Sequence, residues 1–233
     1  FDETLDRWKV PNDKRTVIEN WAPLQEVSVR SRENAWREEA GLGDRFVFLY
    51  AGTLGLKHNP DVLHALAVAE PDTEVVVVSE GLGADRLRTL LQEQHVPNLR
   101  LLPFQRWEAL PDVLAAADVL LVLLEPEAGA FSVPSKILTS LCAGRPILGA
   151  VPKANLGART IEGAEAGIVV APGEPVEFLA AARRFREDDQ MRGRMGTSAR
   201  AHAESAFDIE RITDRFVQVI HDARDRAGRR RLA

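Results

Sequence analysis

From Arg45 onward, short apolar runs rich in β-forming residues alternate with segments whose apolar residues recur at helical spacing, and few architectures accommodate that order. "RFVFLYAG" is continuous and apolar and ends in glycine, as a strand covered on both faces does. "NPDVLHALAVAE" follows it, with Pro60 and Asp61 opening a helix. The pairs "EVVVVS" and "ADRLRTLLQEQ", "NLRLLPF" and "LPDVLAAA", and "DVLLVLL" and "SVPSKILTSLCAG" repeat the scheme. "RPILGAV", a helix around "NLGARTIEGAEAG" and the strand "IVV" complete it. Antiparallel neighbours need no crossover helices, so the alternation predicts an α/β fold, a doubly wound, Rossmann-like six-stranded parallel sheet.

The flanks break the pattern. From Glu174 to about Ala223 the periodicity is helical throughout, most clearly in "PVEFLAAARRF" and "IERITDRFVQVI". Upstream, "VRSRENAWREEAGL" predicts a helix ending at Gly41, and "TVIENWAP" a strand ending at Pro23. Neither has a place in the alternation. Residues 1–44 therefore read as a linker and the end of a preceding domain, 45–207 as the Rossmann-like domain, and 208–233 as a C-terminal helix with a solvated basic tail, "RDRAGRRRLA". A chain that begins at Phe1 without a signal peptide is expected to be a fragment of something longer.

Composition narrows the partners. A net charge of −5 argues against a general nucleic-acid binder. The single cysteine, Cys142, cannot form an internal disulfide and lies on the apolar side of its helix, so a core thiol in a reducing compartment is expected. No apolar run approaches the ~20 residues of a membrane span. The expectation is a soluble, cytoplasmic protein, its basic tail a possible contact for the inner face of a membrane.

In a six-stranded sheet of this kind the strand order 3-2-1-4-5-6 puts the ends of strands one and four side by side, and ligands bind in that crevice. The loop after strand one, "AGTLGLKHN", carries Gly52, Thr53, Gly55 and Lys57; the loop after strand four, "EPEAGAFSVPSK", carries Ser132, Val133, Pro134, Ser135 and Lys136. Lys136 stands in the first turn of a helix, read as starting at Pro134, where the helix dipole disfavours a cation. An anion nearby resolves the conflict. Free backbone N–H groups, the two serine hydroxyls and lysines arriving from two directions suit a phosphate. The plainer alternative makes the glycines turns and the lysines solvated charges. No G-x-G-x-x-G follows the first strand, which disfavours a nicotinamide enzyme, and a Walker A loop is absent. His58, His64, His95, His202 and His221 are scattered and there is no D-x-D loop, so no metal and no cofactor are expected.

"FLYAGTLGLKHNPDVLHALA", "NLRLLPFQRWEALPDVLAAADVLLVLLEP", "FSVPSKILTSLCAGRPIL" and "AGIVVAPGEPVEFLAA" occur in the order found in group 1 glycosyltransferases of the GT-B fold, and the chain resembles most the branch that builds bacterial surface polysaccharides. "VPNDKRTVIENWAP" is similar to the segment closing the N-terminal domain of such enzymes. The resemblance implies the C-terminal, nucleotide-sugar-binding half of a retaining enzyme, with a UDP-sugar as favoured donor and a polysaccharide or lipid-linked glycan as acceptor. It implies that Lys57 neutralises the donor diphosphate. Where many relatives carry arginine this chain has Thr53, and Lys136 would replace that cation. The family's paired glutamates fall at Phe131 and Thr139, which shifts sugar contacts to the backbone of 132–135 and leaves Thr139 facing the ribose. Phe104, Gln105 and Arg106 would meet the base. Acid, base and acceptor-positioning groups would come from the N-terminal domain, so this piece alone should bind without turnover. A nucleotide-sugar epimerase of the same fold, using Glu125 and Glu127, and a non-catalytic nucleotide-binding module are the alternatives.

Overall fold

The structure is a computed structural model and describes residues 2–231 apart from 56, 129–131 and 133. In chain order the regular elements are α1 (Asp2–Arg7), α2 (Ala35–Glu39), β1 (Phe46–Ala51), α3 (Asp61–Ala69), β2 (Thr73–Val78), α4 (Leu82–Glu93), β3 (Leu99–Leu102), α5 (Leu110–Ala115), β4 (Val119–Leu123), α6 (Lys136–Cys142), β5 (Ile147–Ala150), α7 (Leu156–Gly163), β6 (Gly167–Val170), α8 (Pro175–Glu187), α9 (Asp189–Ala206) and α10 (Ile209–Arg231).

The six strands form one sheet in the order β3-β2-β1-β4-β5-β6, each parallel to its neighbours. The Rossmann-like fold expected from the alternation is the one observed. Continuous apolar strands satisfy a sheet covered on both faces: every residue of β2 and β4 is buried. On one face Phe48, Tyr50, Leu66, Val77, Phe178 and Phe185 share a core cluster with residues of α3, α4 and α8, and each large side chain so buried contributes about 1.5–3 kcal/mol. Glu74, wholly buried in β2, is the one charged residue of a strand that is apolar from Val75 onward. Arg45 and Arg100 grip its carboxylate at 2.7 Å each. The strand order reverses between β1 and β4, which pair at Phe48↔Val119 and Leu49↔Leu120. The loops leaving both strands open there.

Residues 23–205 form one compact unit around the sheet, and residues 1–22 with 206–233 form another. These boundaries differ from the expected 44/45 and 207/208. Residues 23–44 belong to the sheet unit because arginines bind them to it. Arg30 pairs with Asp112 at 2.9 Å and Arg32 with Asp118 at 2.8 Å. The buried Arg37 guanidinium donates to the carbonyls of Gly43, Ala116 and Arg45 at 2.9, 2.6 and 2.6 Å. The helix expected up to Gly41 shortens to the five residues of α2, since the Asn34 side chain accepts the Arg37 N–H and caps it there. The strand expected over "TVIENWAP" does not form; residues 16–23 carry no regular structure. Within the other unit, Ala22 N–H donates to the Phe207 carbonyl at 3.2 Å and Arg215 to that of Val17 at 2.7 Å. The basic end expected to be a solvated tail continues α10 as far as Arg231.

Candidate functional site

The loop after β1 is shaped from below by glycines and a serine. Gly52 has φ +125°, a region that side chains rarely enter, and a Cβ there would lie 3.4 Å from Lys136 Cε. Leu54 N–H donates to Ser79 Oγ at 2.9 Å, while its carbonyl accepts Gly83 N–H at 2.8 Å. A Cβ at Gly83 would meet that carbonyl oxygen at 2.9 Å, so the spacing of Gly81 and Gly83 serves the neighbouring loop. Gly55 and His58 close a tight turn. Gly55 N–H donates to His58 Nδ1 and His58 N–H to the Gly55 carbonyl, both at 3.1 Å.

The loop after β4 meets this one. Glu125 N–H donates to the Lys57 carbonyl at 2.9 Å, and Lys57 Nζ donates to Ser132 Oγ at 2.8 Å. Asn155, which caps α7 through Gly157 N–H, also donates to the Ser132 carbonyl at 2.7 Å and so ties the loop to the next helix. The helix expected from Pro134 begins at Lys136, with Ser135 as its N-cap, and ends before Gly144 at φ +64°. Lys136 reaches back across the crevice. Its ammonium lies 3.5 Å from the centroid of the Tyr50 ring, buried and without a hydrogen-bond partner among the described residues. Lys57 and Lys136 thus come together from two distant segments, each close enough to act on His58.

Electrostatics follow from that crowding. Burial, then the charge on Lys57, brings the Lys136 amine down to about 7. Burial, then Lys136 and Lys57, brings His58 down to about 4. With Nδ1 accepting from Gly55, the neutral ring carries its proton on Nε2. Tyr50 is pushed up by burial, and its hydroxyl donates to the Thr53 carbonyl at 3.0 Å. The result is a basic corner, with the Lys136 amine buried in it and Lys57 exposed at its mouth. Among the described residues no carboxylate pairs with Lys136 or Lys57.

The remaining expected site residues have other partners or lie outside the described residues. Val133, with the neighbouring Phe131, lies outside the described residues. The Thr139 hydroxyl donates to the Lys136 carbonyl at 3.0 Å, one turn back along its own helix. Phe104, Gln105 and Arg106 follow β3, two strands from β1. The Gln105 amide is held by Trp36 Nε1 at 3.2 Å and by its own bond to the Pro103 carbonyl. Phe104 stays exposed, its N–H 3.4 Å from Glu80 Oε1. Glu125 is raised by burial and by Glu127, and it lines a cavity of about 300 Å³ with Asn59, Asp61, Gly173 and Phe178 beside the same two loops. Sequence reasoning missed Tyr50 and Asn155. Asn155 stands just before "LGARTIEG", a helix-capping signal legible beforehand. Among the described residues no group of three His, Cys, Asp or Glu is placed to hold a metal ion, and no helix is long and apolar enough to cross a membrane.

Comparison with known proteins gives this geometry a family. WcaI of Escherichia coli K12, named as a colanic acid biosynthesis glycosyl transferase, is 28% identical over 191 residues, covering 80% of this chain and 46% of WcaI. The chain spans about half the length of the curated relatives it matches. Among solved structures, Anabaena Alr3699/HepE in complex with UDP superposes with a TM-score of 0.82 at 19% identity, over 94% of this chain and 61% of that one. The C-terminal domain of a group 1 family protein, LpcC of Francisella tularensis, does so with a TM-score of 0.65 at 14% identity, over 80% of this chain and 98% of that one. Both likenesses concern the fold. The family model for glycosyl transferases group 1 matches residues 32–202, and the chain belongs to that family.

Proposed function

We propose that this chain is the donor-binding half of a retaining glycosyltransferase that transfers a sugar from a nucleoside-diphosphate sugar, a UDP-sugar first, to a polysaccharide or lipid-linked glycan acceptor. One observation carries the reading: a buried ammonium, Lys136, with no counter-charge among the described residues, beside Lys57 at the mouth of the sheet's crevice. A cation held that way suits a ligand that brings the negative charge, and a diphosphate spans two lysines. HepE, of the same fold, has been captured with UDP and with UDP-glucose.

In this reading Lys57 and Lys136 hold the two phosphates. They take up the negative charge that grows on the leaving diphosphate as the glycosidic bond to it breaks, and being fixed beforehand they need no rearrangement. Ser132 keeps Lys57 in place, and the neutral His58 offers an Nε2–H donor. A separate N-terminal domain brings the acceptor and the groups that position it, and neither metal nor cofactor is needed on this side. The enzyme works in the cytoplasm, at the inner face of the membrane if its acceptor is lipid-linked.

Calorimetric titration of the chain with UDP, GDP and NAD tests the reading. Nucleoside diphosphate should bind and NAD should not. Lys57→Ala and Lys136→Ala should each weaken binding roughly 10- to 100-fold, the loss of one charge-assisted contact of about 1.5–3 kcal/mol. Tight NAD binding, or unchanged affinity in both variants, would overturn it.

A further inference from the structure

Lys136 differs in its surroundings from the arginines that tie the sheet unit together. Arg37, Arg45, Arg100 and Arg145 all spend donors on carbonyls or carboxylates. The Lys136 ammonium sits on the Tyr50 ring face and has no hydrogen-bond partner among the described residues. The groups that face it are basic or neutral: Tyr50 from β1, with Lys57 and His58 from the loop after β1. No other charged residue stands on α6, and neither Glu125 nor Glu127 of the loop after β4 nor Glu162 of α7 hydrogen-bonds to it. His58 cannot act as a counter-ion, because its Nδ1 is engaged by Gly55 N–H and its proton lies on Nε2.

We propose that the site takes up its nucleoside diphosphate together with one proton from solvent, captured on Lys136, so that binding is proton-coupled. The proposal rests on the reading of this corner as the diphosphate site. A neutral amine on a ring face loses little by lacking a partner, whereas an ammonium there is exposed to Lys57 and shielded from water. A phosphate oxygen entering beside Lys57 supplies the missing counter-charge and makes the ammonium the stable form. One N–H bond forms, its proton coming from solvent, and nothing is oxidised or reduced. In the free chain burial and Lys57 hold the amine at about 7, so above neutral pH most molecules await that proton.

Titration calorimetry of the whole chain with UDP and GDP at pH 8, in HEPES and in Tris, measures the proton directly from the dependence of heat on buffer. Roughly nine-tenths of a proton should be taken up per ligand bound, and affinity should fall close to tenfold between pH 8 and pH 9. Arginine keeps its charge, so Lys136→Arg should bind with uptake near zero and an affinity that no longer changes over that range. Binding by the wild type with no proton uptake and a flat pH profile overturns the proton coupling and leaves the diphosphate site standing. Uptake undiminished in Lys136→Arg assigns the proton elsewhere and overturns it too. Failure of both nucleotides to bind the folded chain overturns the diphosphate reading itself, and the coupling with it. Should the arginine variant not fold, the wild-type uptake and pH profile decide the matter alone.

Discussion

Replacing Lys136 by methionine should stabilise the sheet unit. Methionine keeps an unbranched stem of similar length beside Tyr50 and removes the ammonium that has no partner. Burial and the Lys57 charge lower the amine from 10.5 to about 7 in the folded chain, and unfolding restores the ordinary value. Below about pH 7 the amine is charged in both states and its full cost to the fold is present. Between about pH 7 and pH 10.5 the folded amine is neutral while the unfolded one still holds a proton, so stability rises with pH. Linkage puts the cost at about 4 kcal/mol at pH 7, of which about 2 kcal/mol is relieved by pH 9. Lys136→Met should therefore gain about 2–4 kcal/mol at pH 7, a rise in Tm of roughly 5–15 °C for a unit of this size. Thermal unfolding of both proteins at pH 7 and pH 9 is the assay, and the gap between them should shrink by about half at the higher pH. A variant less stable than the wild type at pH 7, or a gap that does not shrink, would refute the reasoning.

Gly83→Ala should cost about 1–3 kcal/mol and weaken nucleotide binding as well, because its Cβ would push the Leu54 carbonyl and the loop that carries Lys57; unfolding midpoints and UDP titration read both effects. Glu74→Ala removes the carboxylate between Arg45 and Arg100; since both arginines keep some solvent, a loss of about 2–3 kcal/mol is expected in denaturant unfolding, with ligand affinity unchanged. The Cys142 thiol, buried and raised to about 11 by that burial, should resist a thiol reagent in the native chain and react at once in denaturant.

The sheet was legible because β1, β2 and β4 are apolar on both faces while α3 and α8 repeat at helical spacing, two patterns that do not imitate one another. Strand order then followed from topology, and with it the meeting of Lys57 and Lys136 across some eighty residues. Tyr50 was hidden by the same property that revealed its strand, since a run apolar on both faces does not announce which ring supports a cation. The bond from the Thr139 hydroxyl to the Lys136 carbonyl was not legible, because a helical threonine can turn its hydroxyl to the preceding turn, which no spacing discloses. The attachment of residues 23–44 to the sheet unit was not legible, because it is made by arginine side chains reaching single carbonyls and carboxylates, which leave no periodic trace.

Arg37 sets where this polypeptide can be shortened. Its guanidinium satisfies three main-chain oxygens at the lower rim of the sheet, two of them at the entry to β1 and one just beyond α5. A version trimmed to start at Arg45 would strip those acceptors of their donor and bare the apolar surface beneath Trp36. Starting at or before Pro23 keeps that buckle fastened, and is the cut expected to yield a well-behaved, minimal piece for ligand studies.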